Sequence, residues 1–220
     1  MNRHRICAVI VNDDLEAIKA VEPFSDLFEV RIDLIGDGWR ELTRQLKKPW
    51  IACNRIAEEG GSCRENESKR IEELLHAVEL GAEIIDLELR TEKLAEVIPS
   101  IKKGSKILLS YHDLKKTPSL NNMRTIVQKQ LQAGADICKI VTTARSFDDN
   151  LAVLQLISDF PKIRIVSLAM GSLGFATRVL CPMVGGDFTY ASIEKGKESA
   201  PGQVTVKELT KIYGMIADGK

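Results

Sequence analysis

Eight short runs rich in β-branched residues, each followed by a segment of helical character, divide the whole 220-residue chain. The strand-type runs are 6–11, 27–32, 50–54, 84–89, 106–111, 137–141, 164–169 and 187–191. The helix-type segments are 15–21, 39–46, 69–80, 92–102, 118–133, 147–160, 175–180 and 204–216. Local signals mark several boundaries: Asp13 and Asp14 can cap the first helix, and Gly81 stops the amphipathic third one. The connections are short, and no low-complexity segment, long linker or residue-level repeat interrupts them. Parallel strands need a crossover of this size between them. Eight such units in succession predict a (β/α)₈ (TIM) barrel, one domain over residues 1–220. An open doubly wound sheet is the alternative, and it usually has fewer units.

Composition narrows the function. Lys plus Arg and Asp plus Glu both number 31, so the formal charge is zero, which argues against a general nucleic-acid or anionic-membrane binder. The five cysteines are scattered with no C-x-x-C pair, and Cys7, Cys53 and Cys138 lie in apolar runs as small core residues. A reduced, cytoplasmic compartment follows as the expectation. Residues 1–5 are basic, but the apolar run after them has only a strand's length, too short for a signal segment. No run is long enough for a transmembrane helix.

In such a barrel the chemistry sits at the C-terminal ends of the strands, so polar residues there carry the information. Lys139 interrupts the sixth run. Alternation puts Ile137, Lys139 and Val141 on one face and Cys138 and Ile140 on the other. Desolvation is expected to lower its pKa and make it a nucleophile suited to a Schiff base. The other reading is a lysine that snorkels out or pairs with a carboxylate. Glu29 and Arg31 share a face of the second run, as substrate ligands or as a buried ion pair. Arg55 follows the third run and is a candidate ligand for an anion or hydroxyls; Glu58 and Glu59 come next, in a loop that reads as solvated. Asp86 and Glu88 share a face of the fourth run and read as structural partners for Lys or Arg. His112 alone of the three histidines ends a strand, where an imidazole can act as acid and base; His4 is assigned to a frayed terminus. The Gly171–Gly174 turn leads to Arg178, a bidentate partner for a carboxylate. The loop 194–203, with Ser199 and Gln203, can serve as a lid. The sequence shows no metal-ligand spacing, no P-loop and no G-x-G-x-x-G.

Taken together these residues resemble the type I 3-dehydroquinate dehydratases. Seven motifs occur in order nearly end to end. They are E-V-R-I-D at 29–33, R-x-x-x-E-G-G at 55–61, D-L-E-L at 86–89 and S-Y-H-D at 110–113, then the lysine strand, M-G-x-x-G-x-x-T-R at 170–178 and S-A-P-G-Q at 199–203. The resemblance implies a (β/α)₈ barrel, no metal or organic cofactor, a homodimer, and 3-dehydroquinate as the small-molecule substrate. It implies that Lys139 forms the Schiff base, that His112 moves the protons and that Glu59 orients His112. Arg178 would bind the substrate carboxylate, Glu29, Arg31 and Arg55 the ring hydroxyls, and Ser199 and Gln203 would close from the lid. The departures are Thr177 in place of a serine, Ala169 before Met170, and Asn54 beside Arg55. A class I aldolase would show a clearer phosphate site, and an inactive barrel should have lost Lys139, His112 or Arg178.

Overall fold

The computed structural model describes residues 4–218. Eight parallel strands form one sheet: β1 (Ile6–Ile10), β2 (Leu27–Arg31), β3 (Trp50–Cys53), β4 (Ile84–Glu88), β5 (Lys106–His112), β6 (Ile137–Thr143), β7 (Ile165–Met170) and β8 (Thr189–Ser192). From β1 to β7 each strand pairs with the next, and β8 pairs with β1. That return of β8 to β1 makes a barrel and rules out the doubly wound sheet. The seam between β7 and β8 carries no ladder among the described residues; there the Asp187 amide donates to the Ile165 carbonyl at 2.8 Å.

The helices are α1 (Leu15–Val21), α2 (Ile32–Ile35), α3 (Trp39–Thr43), α4 (Glu67–Glu79), α5 (Leu94–Ile101), α6 (Leu120–Gln132), α7 (Asp148–Asp159), α8 (Phe175–Leu180) and α9 (Val206–Asp218). Asp14 caps α1 by accepting from the amides of Glu16 and Ala17, and Asn66 caps α4 through the Lys69 amide. The differences from expectation are local. β2 stops at Arg31, because Ile32 opens a helical turn that the apolar pattern hid. β8 begins at Thr189, and Asp187 before it pairs its carboxylate with Arg5 and Arg164. His4 is not frayed: its ring packs 4.8 Å from that of Tyr213.

Strand alternation sorts the side chains into two cores. Ile6, Ala8, Phe28, Val30, Ile85 and Leu109 pack outward against helices. Cys7, Leu27, Ile51, Ile84, Leu108, Val166 and Phe188 form an apolar floor within the barrel. One inward position further along the strands, the side chains become Glu29, Cys53, Asp86, Ser110, Lys139 and Tyr190, all buried. The site lies at this change from apolar floor to charged layer. Gln130 of α6 supports it from outside, donating to the carbonyls of Leu109 and Lys139 at 2.9 and 3.0 Å.

Candidate active site

One cavity, with an empty volume of about 620 Å³ counting its open mouth, is lined by all nine residues singled out from the sequence: Glu29, Arg31, Arg55, Glu59, His112, Lys139, Arg178, Ser199 and Gln203. They come from three strands (β2, β5 and β6), the loops after β3 and β8, and helix α8, and the barrel alone brings them together. Leu168, Met170 and Tyr190 add apolar wall.

Lys139 is 4% exposed and does not snorkel. Its Nζ lies 2.9 Å from Asp86 and 3.3 Å from Glu29. This corrects the expected direction of its titration. Desolvation is the largest single influence and lowers the pKa, but the Asp86 and Glu29 carboxylates outweigh it, and the ammonium is held above its ordinary range. The resting lysine is therefore a protonated, paired one. Asp86 is held well below the usual carboxylate range: burial opposes this, but Arg55 and Lys139 prevail.

These contacts belong to an alternating chain of buried charges. Arg70 donates to Glu88 at 2.8 Å, Arg55 reaches Glu88 at 2.9 Å and Asp86 at 2.6 Å, and Asp86 meets Lys139. With Glu29 the six formal charges cancel, which is what lets them stay buried. Ser110 completes the layer by donating to Asp86 at 2.7 Å. Glu88 and Asp86 are structural, as the sequence suggested, but Asp86 also touches the lysine. In three dimensions the donor atoms of Glu29, Cys53 and Asp86 lie within 4.8 Å of one another, a grouping that sequence spacing did not reveal. The Lys139 ammonium, bonded to both carboxylates, already supplies the positive charge this cluster calls for.

Glu59 is buried beside exposed Glu58, so the solvated-loop reading holds for one of the pair. The turn that carries it is tight: a Cβ on Gly61 would lie 2.0 Å from the Arg55 carbonyl. One Glu59 oxygen accepts from the His112 amide at 3.0 Å and lies 2.8 Å from His112 Nδ1. Burial, with the charges of Arg55 and Lys139, holds the imidazole well below its ordinary pKa, hence neutral. Assigned from this hydrogen bond, the tautomer carries its proton on Nδ1 and leaves the Nε2 lone pair free. Burial pushes Glu59 up to about 7, against the pull of Arg55.

Arg31 is clamped by Asp33 through two bonds of 2.9 and 2.7 Å, and Asp33 also accepts from the Ser62 amide. Arg178 differs from Arg31, Arg55 and Arg70. It is 2% exposed, and no carboxylate pairs with it among the described residues. Its Nη2 donates to the Pro201 carbonyl at 3.2 Å, and its Nε is buried with no partner. Burial alone brings this guanidinium down to about 10. A buried cation without a counter-charge is suited to receive an anion.

The lid is docked over the cavity. Pro201 also accepts from the Gly171 amide at 3.0 Å, and Ser199 donates through its amide to Gln203 at 2.9 Å. Asp33, Ser110, Gln130 and Tyr190 were not singled out from the sequence. For Asp33, Ser110 and Tyr190 a signal existed: each sits two residues from a named or inward-facing position on its own strand or just after it.

The family model for type I 3-dehydroquinase matches residues 6–220. A 3-dehydroquinate dehydratase of Dehalococcoides mccartyi is 40% identical over 217 residues, covering 98% of this chain and 97% of the relative. Another, of Methanococcus maripaludis, is 36% identical and covers 96% and 99%. Among solved structures, a type I 3-dehydroquinate dehydratase of Clostridium difficile superposes with a TM-score of 0.87 at 23% identity, covering 100% of this chain and 94% of that one, a likeness of fold.

Proposed function

The chain belongs to the type I 3-dehydroquinase family, and from that membership we propose how its residues carry out the family's reaction, the dehydration of 3-dehydroquinate in the shikimate pathway. The observation that carries the reading is the pairing, across one cavity, of the buried Lys139 side chain with the Arg178 guanidinium, which has no carboxylate partner among the described residues and whose Nε is left without a hydrogen bond. A ketone near the first and a carboxylate at the second describe a substrate with both groups on one small ring.

Arg178 takes the substrate carboxylate in a charge-assisted bond, and its lack of a protein carboxylate supports that role. Arg31, Arg55 and Glu29 meet the ring hydroxyls, and Ser199 and Gln203 close from the lid. Lys139 must lose its extra proton before it can attack; Glu29, 3.3 Å away and lining the cavity, is the acceptor within reach. The free amine adds to the C3 carbonyl, the proton held by Glu29 goes to the departing carbinolamine hydroxyl, and loss of water leaves an iminium cation. That cation withdraws electrons from C2, so His112 Nε2 can remove a C2 proton and form the enamine. The enamine electrons then expel the C1 hydroxyl, which leaves as water with the proton returned from His112, a syn elimination. Water hydrolyses the conjugated iminium, frees Lys139 and releases 3-dehydroshikimate. Glu59 stabilises the transient imidazolium and keeps the ring oriented, as a triad acid does.

The proposal calls for no metal or organic cofactor. A homodimer, which rests on the family resemblance, and a cytoplasmic location, which rests on the scattered cysteines, are part of it; sedimentation equilibrium at twice the chain mass would support the dimer. Among the described residues no helix is long and apolar enough to cross a membrane. The test of the mechanism is borohydride reduction in the presence of 3-dehydroquinate, followed by peptide mass spectrometry. An adduct on Lys139 is expected. Product formation with no adduct would mean dehydration without an imine.

A further inference from the structure

The mechanism above leaves one neighbour of Lys139 without a role. Tyr190 turns inward from β8, and the Lys139 nitrogen lies 4.3 Å from the centre of its ring. The ring is 4% exposed and is braced edge-on by Phe188, with centroids 5.4 Å apart. Its backbone is held in the β1–β8 ladder opposite Cys7, so it sits on a rigid sheet position. The nitrogen thus meets Asp86 and Glu29 as hydrogen-bond partners, an aromatic face as its third neighbour, and the cavity in the remaining direction.

An aromatic face attracts a cation and offers a neutral amine nothing comparable. In the proposed cycle the lysine nitrogen is cationic twice, as the resting ammonium and as the iminium. We propose that Tyr190 is a positioning residue acting through Lys139: its ring face favours both cationic forms of the nitrogen and directs the amine into the cavity. The inference rests on the reading of Lys139 as the imine-forming residue. The other titratable or charged groups around the nitrogen are Glu29 from β2, Cys53 and Arg55 at β3, Asp86 from β4, His112 from β5 and Cys7 from β1. The buried Tyr190 hydroxyl also lies close to Glu29, and Tyr190→Phe, which removes the hydroxyl and keeps the ring, separates that influence from the ring-dependent differences.

The experiment compares wild type with Tyr190→Phe and Tyr190→Leu. It measures the pH dependence of borohydride trapping with 3-dehydroquinate, alongside kcat and KM. With the ring gone, the ammonium is less favoured, so in Tyr190→Leu the pH at which trapping becomes half-maximal should fall by about one unit. That is a ten-fold effect, the scale of a partly desolvated cation–π contact. The iminium is also less favoured, so kcat should fall by a similar factor with a smaller change in KM. Tyr190→Phe keeps the ring and should keep the wild-type midpoint. Thermal melts check folding, and Tyr190→Met serves if the leucine variant does not fold. A leucine or methionine midpoint equal to wild type overturns the inference, and so does a phenylalanine midpoint displaced as far as leucine's. A wild-type enzyme that yields no Lys139 adduct overturns the mechanism and the inference together, which distinguishes the two failures.

Discussion

At the scale of single residues, the burial of the charges from Arg70 to Lys139 and Glu29 is compensated pair by pair, and Arg178 is the exception. Lys139 is the clearest case. Its two carboxylate partners hold it protonated at rest, so the proposed mechanism requires a proton to leave on substrate arrival rather than a free amine kept ready. Lys139→Ala should abolish turnover and also destabilise the fold by roughly 3 kcal/mol, because Glu29 and Asp86 lose a buried partner. Activity assay and denaturant unfolding would read the two effects separately. Glu59 gives the opposite kind of prediction. Its folded pKa is raised from 4.5 to about 7, so the folded protein holds a proton that the unfolded chain releases. Stability therefore falls as pH rises through that window, by roughly 3 kcal/mol once pH is above it. Glu59→Gln removes the charge while its amide oxygen can still accept from His112. It should raise the melting temperature at pH 8 relative to wild type and lower kcat, since a neutral partner stabilises imidazolium poorly. Equal melting temperatures at pH 8 would show that the burial cost is not borne by this group.

At the scale of elements, the β7–α8 turn and the lid act as one unit that carries Arg178. Thr177 holds the turn: its hydroxyl donates to the Gly174 carbonyl and accepts from the Ala169 amide, both at 2.8 Å. A serine at this position would make the same two bonds, which explains why threonine here is a harmless departure. Thr177→Val leaves both backbone groups buried and unpaired, at a cost of about 2 kcal/mol, while Thr177→Ser should stay near wild type in denaturant unfolding. The lid is attached at Gly202, whose φ is +76° and whose added Cβ would lie 2.3 Å from the Gly171 carbonyl. Gly202→Ala should therefore undock the lid and raise KM at least several-fold, with little change in melting temperature. An unchanged KM would mean that the docked lid contributes nothing to substrate retention.

At the scale of the whole molecule, the barrel is divided across its axis into an apolar floor and a charged layer. The floor excludes water from beneath the site, which strengthens every ion pair above it. Phe188 is fully buried there and supports Tyr190. Phe188→Ala should cost about 3–5 kcal/mol, read as a lower denaturation midpoint, because the surrounding strands cannot collapse into the space. Closure of the sheet is what brings residues far apart in the sequence, such as Glu29 and Lys139, to hydrogen-bond distance. Each strand contributes only one or two of the groups, so no local segment holds a working site.

The sequence by itself determined the number of βα units and the face on which each polar strand residue points. Those properties follow from period-two alternation and turn chemistry, which are local. The tertiary structure alone decided how the charges pair. Asp86 touches both Arg55 and Lys139, Glu88 joins Arg55 to Arg70, and Arg178 is left with no carboxylate among the described residues. The state of Lys139 reversed for the same reason. Burial of a lysine can be read from its neighbours in the chain, but the sign of its pKa shift depends on which carboxylates the closed barrel brings against it, and Coulomb energy depends on distances that sequence order does not contain.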